Sequence, residues 1–303
     1  MTARKMEESN QEIYQKRLER VENAIQLKES DCVPIAPIYG ALPYAMEGAA
    51  YKDSMYNYDR ASDALIKFYQ DFEPDAATHT AFTSGRANEL AGSTMIDWPG
   101  RPGTRVPDFS THQVIEQEYM SQEEYPEFIG DFTGFMLRKY IPRAFPALKG
   151  LEDIHFVPSI VLSTNPLASL YSPEAQEAFS LLKQIGEEDK KATDASMAVT
   201  GKLIEMGYPP FITGAGEAPF DILGDYYRGT LGALSDQLEC PDEIEAACDM
   251  LADIQIESFS YLKTADLPVK RIFFPLHKGM DGFMNPLQYE KLYWKPLRKV
   301  IMA

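Results

Sequence analysis

The chain is poor in positive charge, in cysteine and in histidine. Its 303 residues carry 29 Lys and Arg against 46 Asp and Glu, a formal charge of −17 and a pI near 4.7. That balance speaks against a general binder of phosphate backbones, and an anionic membrane surface would repel it. The three cysteines, Cys32, Cys240 and Cys248, are odd in number and fit no motif spacing. They cannot form a closed disulfide framework, which points to a reducing compartment and a cytoplasmic setting. The four histidines, His79, His112, His155 and His277, are widely separated, and none pairs with a cysteine as HxC or with another histidine as HxxxH. Local spacing therefore offers no metal site. GxGxxG after a strand, GxxxxGK[ST] and GxSxG are all missing, so the sequence carries none of the short signatures of a dinucleotide fold, a P-loop or a nucleophile elbow. Long apolar runs are missing too. The longest stretch without Asp, Glu, Lys or Arg, Ile154 to Pro173, is interrupted by Pro158, Asn165 and Pro166, and reads as a buried strand and loop rather than a membrane helix. The opening text MTARKMEESNQEIYQKRLERVENAIQ is charged throughout, unlike a signal peptide or an anchor.

What is present is a globular balance, 45% hydrophobic and 12% aromatic, enough to bury a large core. Charged and apolar positions alternate at helical spacing over residues 11–29, predicting an amphipathic opening helix. DCVPIAPIY (Asp31 to Tyr39) reads as a strand entering a loop. A helix over Ala61 to Phe72 and a strand in PDAATHTAF follow. Residues 84–112 hold most of the glycine and proline of the first half, predicting an irregular excursion with hairpin character. Short helices are expected over 119–143, so that residues 84–150 form an insertion. Further strands are expected at IHFVPSIVLS, PPFITGAG and KRIFFPL. Between them Ser172-Pro173-Glu174 should cap a long helix running to Gly207 with a break near Gly186. Pro241 opens another helix to about Ala265, and Asn285-Pro286 caps a last one reaching Ile301. Apolar strands alternating with helices indicate an α/β fold with a parallel sheet, led by a single (β/α)8 TIM-type barrel domain spanning residues 1–303.

In such a barrel, chemistry sits at the C-terminal ends of the strands and in the loops after them. Tyr39 and Tyr44 follow the first strand and are candidates for lining a substrate pocket, against plain aromatic packing. His79, with Arg86 nearby, ends the second strand and could bind substrate or shuttle a proton. In ITGAGEAPF two glycines permit close backbone approach, and Glu217 places a carboxylate at the mouth; alternatively it is a helix-start acid satisfying backbone amides. PLHKGMDGFM clusters His277, Lys278 and Asp281 after a strand, with Asp281 otherwise an ordinary Asp-Gly turn residue. Glu217, His277 and Asp281 are the catalytic candidates; Tyr39, Tyr44 and His79 are the substrate-binding ones.

Three segments carry a family likeness. RLERVENAIQLKESDCVPIAP, FITGAGEAPFDILGDYYRG and FFPLHKGMDGFMNPLQYEKLYWKPLRKVI resemble, in order, the opening helix and first strand, a glycine-rich strand region, and a later strand, loop and helix of the uroporphyrinogen decarboxylase superfamily. The resemblance implies a (β/α)8 barrel and either of two activities. One is cofactor-free decarboxylation in tetrapyrrole synthesis; the other is zinc-dependent methyl transfer between a corrinoid protein and a thiol or a small methylated compound. The decarboxylases carry an arginine-rich motif after the first strand, where this chain reads PIAPIYGALPYAMEG, and a catalytic aspartate near the end of the second strand that DAATHTAFTSG does not match. A polycarboxylate would find no cations there, so the resemblance favours the corrinoid-dependent methyltransferase branch, with decarboxylation or a non-catalytic binding barrel as alternatives. The family's zinc ligands, an HxC pair and a distant cysteine, belong to strand–helix units that follow the segment matching PLQYEKLYWKPLRKVI. Zinc is therefore a family expectation whose ligands are not identifiable here, and the corrinoid would arrive on a partner protein. Five or six strand candidates against the eight of a barrel leave the expected architecture about a quarter short.

Overall fold

The computed structural model describes residues 9–78, 81–158 and 163–303, and these divide into two compact units. The chain is 61% helical with few strands. None of its helices, among the described residues, is long and apolar enough to cross a membrane.

One unit comprises residues up to Glu89, Asp97–Gln113 and Ile185–Thr213. Its first helix, Asn10–Ile25, starts in a capping box in which the Ser9 hydroxyl and the Glu12 carboxylate satisfy each other's backbone N–H. The helix Tyr58–Phe72 is capped by Asn57 and buries Ala61, Ala64, Leu65, Phe68 and Tyr69, the i, i+3, i+4, i+7, i+8 stripe of a helix packed by one face. Those side chains meet Ala192, Val199, Leu203 and Tyr208 in one core. Extended segments lie beside one another: the Asp75 N–H donates to Ile35 O (2.8 Å), the Ala77 N–H to Pro209 O (2.7 Å), and the Phe211 N–H to Ala77 O (2.9 Å). Ala77 and Pro210 form a parallel bridge. Arg20, from the first helix, clamps this arrangement by pairing with Asp31 and with buried Asp75.

The other unit comprises Leu90–Ile96, Val114–Gln184 and Gly214–Ala303. Short helices within 122–144, together with those of 219–258 and 286–302, close on an aromatic core that includes Tyr125, Phe128, Phe135, Phe220 and Tyr293. Strand Gly214–Ala215 pairs in parallel with Ile272–Phe273, with Gly214 opposite Ile272, and the Gly216 N–H continues the ladder to Phe273 O (2.9 Å). The chain between them is helical, so this is a strand–helix–strand crossover.

The sequence-expected strands are largely extended chain instead. Among the described residues there are four strands of two residues each, in two two-stranded sheets, and no closed eight-stranded cylinder. Proline is the physical reason. Each expected strand contains one or more (Pro34 and Pro37, Pro74, Pro158, Pro209 and Pro210, Pro275), and each removes a ladder donor. Residues 159–162, part of the expected strand IHFVPSIVLS, lie outside the described residues. The helix expected to break near Gly186 is continuous over Pro173–Glu205. Its start is as expected, with the Ser172 hydroxyl accepting from the Ala175 N–H (3.1 Å), and Gly207 follows its end at φ +89°. The excursion after residue 84 is less irregular than expected, since Gly85–Ala91 is helical and Ile96–Asp97 pairs with Gln113–Val114 in a two-stranded sheet.

Candidate functional site

Two sequence segments meet in the second unit. The end of strand Gly214–Ala215 runs into Gly216 and Glu217, and Pro219 then starts a helix, Pro219–Ile222, that continues as a wide π-helical turn over Leu223–Arg228. Such turns occur preferentially at functional sites. This one presents Asp225 and Tyr226 in succession. The strand Ile272–Phe273 leads into the loop carrying His277 and Lys278.

Asp221 organises that loop. Fully buried, it accepts from the backbone N–H of His277 (3.0 Å) and of Lys278 (2.8 Å) and from the Tyr293 hydroxyl (2.6 Å). Asp225, four residues on, takes the His277 Nδ1 at 3.0 Å on one oxygen and the Lys278 ammonium on the other. Lys278 is itself buried, so this pair supplies the counter-ion that a sequestered ammonium requires.

Glu217 is held differently. Its backbone N–H and carbonyl pair with the side-chain amide of Gln255 (3.2 and 2.9 Å), and its Oε1 accepts from the Tyr226 hydroxyl (2.7 Å). Its Oε2 is buried and has no hydrogen-bond partner. Burial, reinforced by the negative charges of Asp225 and Asp221, pushes the carboxyl above its ordinary range, against the opposing pull of the Tyr226 hydrogen bond and of His277. Burial and the bond to Glu217 push the Tyr226 hydroxyl up as well.

A cleft of about 450 Å³ opens beside this carboxylate, walled by Ala215, Ile222, Tyr226, Phe259, Phe273 and Pro275 among others. Its volume falls in the range of small-molecule sites. Gly216 keeps it open: a Cβ there would come within 2.8 Å of the Phe259 ring, 2.9 Å of Gln255 Oε1 and 2.9 Å of the Phe274 ring. The lining carries one carboxylate, Glu217, and neither Lys nor Arg.

The other expected site residues divide. Asp281 sits exposed in the turn after the loop and, among the described residues, makes no side-chain hydrogen bond or ion pair, so it is not part of this constellation. Tyr39 and Tyr44 belong to the first unit. Tyr39 packs edge-on against Phe68 (4.6 Å between ring centroids) and Tyr69 (6.1 Å), and burial raises its hydroxyl to about 12. Tyr44 is buried in the same core against Tyr51. Both side chains do the work of aromatic packing. His79 lies outside the described residues. Four residues that sequence reasoning passed over, Asp221, Asp225, Tyr226 and Gln255, hold the site together. The signal for the two acids was their i, i+4 spacing in DILGD, which puts them on one helix face.

No three His, Cys, Asp or Glu side chains among the described residues are arranged to hold a metal ion. Cys248 is fully buried in the aromatic core, where burial raises its thiol well above the ordinary range, the reverse of what a zinc thiolate needs. Among the described residues, then, no ligand set for the expected zinc is identified. Compared with known proteins, the chain matches no protein-family model and no curated protein.

Proposed function

We propose that the cleft beside Glu217 is the substrate site of a cytoplasmic methyltransferase of the uroporphyrinogen decarboxylase superfamily. The enzyme would pass a methyl group between a small methylated compound or a thiol and a corrinoid protein. The observation that carries this reading is a mostly apolar cleft whose one charged wall is a carboxylate with a buried, unpartnered oxygen. Such a site accepts a small molecule that is largely hydrocarbon. The absence of Lys and Arg from the lining weighs against the decarboxylase alternative, whose polycarboxylate substrate needs cations. Lys278 is already committed to Asp225.

The parallel crossover from Gly214–Ala215 to Ile272–Phe273 and the parallel bridge of Ala77 with Pro210 are the elements from which a (β/α)8 barrel would be built. The corrinoid, carried by its own protein, would supply the methyl-exchanging chemistry. Within this chain, Glu217 and Tyr226, joined by their hydrogen bond, form the polar side of the cleft. Ile222, Phe259, Phe273 and Pro275 exclude water from it, and Asp225 fixes the imidazole of His277. No step is assigned to zinc.

The test is anaerobic incubation of the purified chain with free cob(I)alamin and, separately, methoxylated aromatics, methylated amines and methylated thiols, following the visible spectrum for methylcobalamin. Turnover with at least one donor class is expected, slowed by on the order of tenfold or more in Glu217→Gln. Failure of every donor, with zinc added and without, refutes the proposal.

A further inference from the structure

Four polar side chains border the cleft of the second unit, Glu217, Tyr226, Gln255 and Ser258, and each is already bonded inside the protein. The Tyr226 hydroxyl donates its one hydrogen to Glu217 Oε1 (2.7 Å), and Glu217 Oε2 is enclosed. The Gln255 amide is tied at both ends to the backbone of Glu217 (3.2 and 2.9 Å), and the Ser258 hydroxyl donates to Gln255 O (2.7 Å). Neither Lys nor Arg is in the lining. A charged group entering the cleft would lose hydration without gaining an ion pair there. What remains for a ligand to touch is hydrocarbon, and much of it is flat. Phe273 is exposed and Tyr226 and Phe259 are half-buried, so these lining rings keep accessible surface. Phe259 is held in place by Phe274, edge to face at 6.2 Å between ring centroids, and Gly216 leaves the space against the Phe259 ring unfilled.

We infer that this cleft binds an uncharged aromatic ring, packed among Tyr226, Phe259 and Phe273. A ring presents an electron-rich face and an electron-poor edge to the rings around it, so it gains more from them than a saturated group of the same size. A cleft of about 450 Å³ admits one substituted ring. The ring needs no hydrogen bond from the lining, which is consistent with polar side chains that are bonded to one another and to the backbone. As a statement about substrate, an aromatic methyl compound rather than an aliphatic amine or thiol, the inference rests on the methyltransferase reading above; as a statement about binding, it does not.

Anisole and cyclohexyl methyl ether have the same heavy-atom skeleton and differ in aromaticity, and benzoate carries a charge directly on its ring. Calorimetric titration of the full chain with each separates the two terms. The expected result is saturable binding of anisole in the millimolar range or tighter, about two- to tenfold weaker binding of the saturated ether, and at least about tenfold weaker binding of benzoate. Ser258 is an exposed residue of the lining, so Ser258→Trp fills the cleft from its surface and should abolish the anisole signal. The wild-type comparison of the three ligands decides the matter even where that variant folds poorly. The inference is overturned by the absence of saturable anisole binding, by a saturated ether or a benzoate that binds as tightly as anisole, or by undiminished anisole binding in a folded Ser258→Trp chain. Anisole binding without methylcobalamin formation from any donor would overturn the methyltransferase reading and leave this site standing. Methyl transfer from an amine or a thiol without anisole binding would do the opposite.

Discussion

Asp221 is the residue whose removal should most damage the site without touching the cleft. Its carboxylate is wholly buried, and both oxygens are used: Oδ1 by the Lys278 N–H (2.8 Å), and Oδ2 by the His277 N–H (3.0 Å) and the Tyr293 hydroxyl (2.6 Å). In Asp221→Ala the Lys278 N–H and the Tyr293 hydroxyl, both on buried residues, lose their acceptor with no water at hand. Each unsatisfied donor costs about 1–3 kcal/mol, and the lost bonds are to an ionised acceptor, at the strong end of the scale. The sum is roughly 3–5 kcal/mol, a large share of the 5–15 kcal/mol that ordinarily separates folded from unfolded. Tyr293→Phe removes one of the three donors and leaves the carboxylate two, so about 1–2 kcal/mol is expected. The double variant should cost less than the sum of the two, because the hydroxyl and the carboxylate lose the same bond. Urea unfolding followed by the fluorescence of Trp294, the tryptophan of the same unit, in a Trp98→Phe background, reads this unit directly. A cost below about 1 kcal/mol for Asp221→Ala, with helical content retained, would refute the reasoning, since it would mean these donors find solvent.

Two other predictions concern the cleft. Glu217 has a folded-state pKa raised above its unfolded value, chiefly by burial, so the folded state holds this proton longer than the unfolded one. Its contribution to stability is present below the unfolded value of about 4.3 and is lost as pH rises through the folded one. Measured against Glu217→Gln by thermal or urea unfolding, the wild type should therefore lose ground between about pH 4 and neutrality, by about 1 kcal/mol or more if the buried oxygen stays unpartnered; a stability difference independent of pH would contradict the assignment. Gly216→Ala should cost about 1–3 kcal/mol by overpacking and weaken ligand binding, because the new methyl pushes Phe259 into the cleft. Gly186→Ala, in the exposed middle of Pro173–Glu205 with no atom near the added Cβ, should instead stabilise by up to about 1 kcal/mol; equal effects at the two glycines by urea unfolding would count against the packing account.

The helices were the legible part of the sequence, because their signals are local. Asn57, Ser172 and Asn285 each cap a helix within the next three residues, and the apolar stripe of Tyr58–Phe72 needs only its own period to be read. The continuous helix through Gly186 shows the limit of a local breaker. One glycine costs about 1 kcal/mol relative to alanine, which core contacts such as those of Ala192 and Val199 readily exceed. The strands failed for the reciprocal reason. An apolar run states that a segment is buried, but whether it forms a ladder depends on where its prolines face relative to a neighbour that may be more than a hundred residues away, as Pro210 is from Ala77.

The site divides along the same line. Glu217 and His277 could be picked out because each follows a strand-like run beside glycine, while Asp281, chosen on the same grounds, is an exposed turn residue. What separates them is a partner, not a local pattern. A lysine one residue past an apolar run, as Lys278 is, must find an anion if it is buried, and a chain of net charge −17 offers many. The one it finds, Asp225, is 53 residues away in sequence, on a turn whose other acid, Asp221, has already taken the backbone of the same loop. Once those two acids are satisfied by the loop, Glu217 is left as the acid without a cation, bonded to Tyr226 through one oxygen and enclosed at the other. That asymmetry is a matter of partners 52 to 72 residues distant for Asp221 and Asp225 and of one neighbour, Tyr226, for Glu217, which no local pattern in the sequence states.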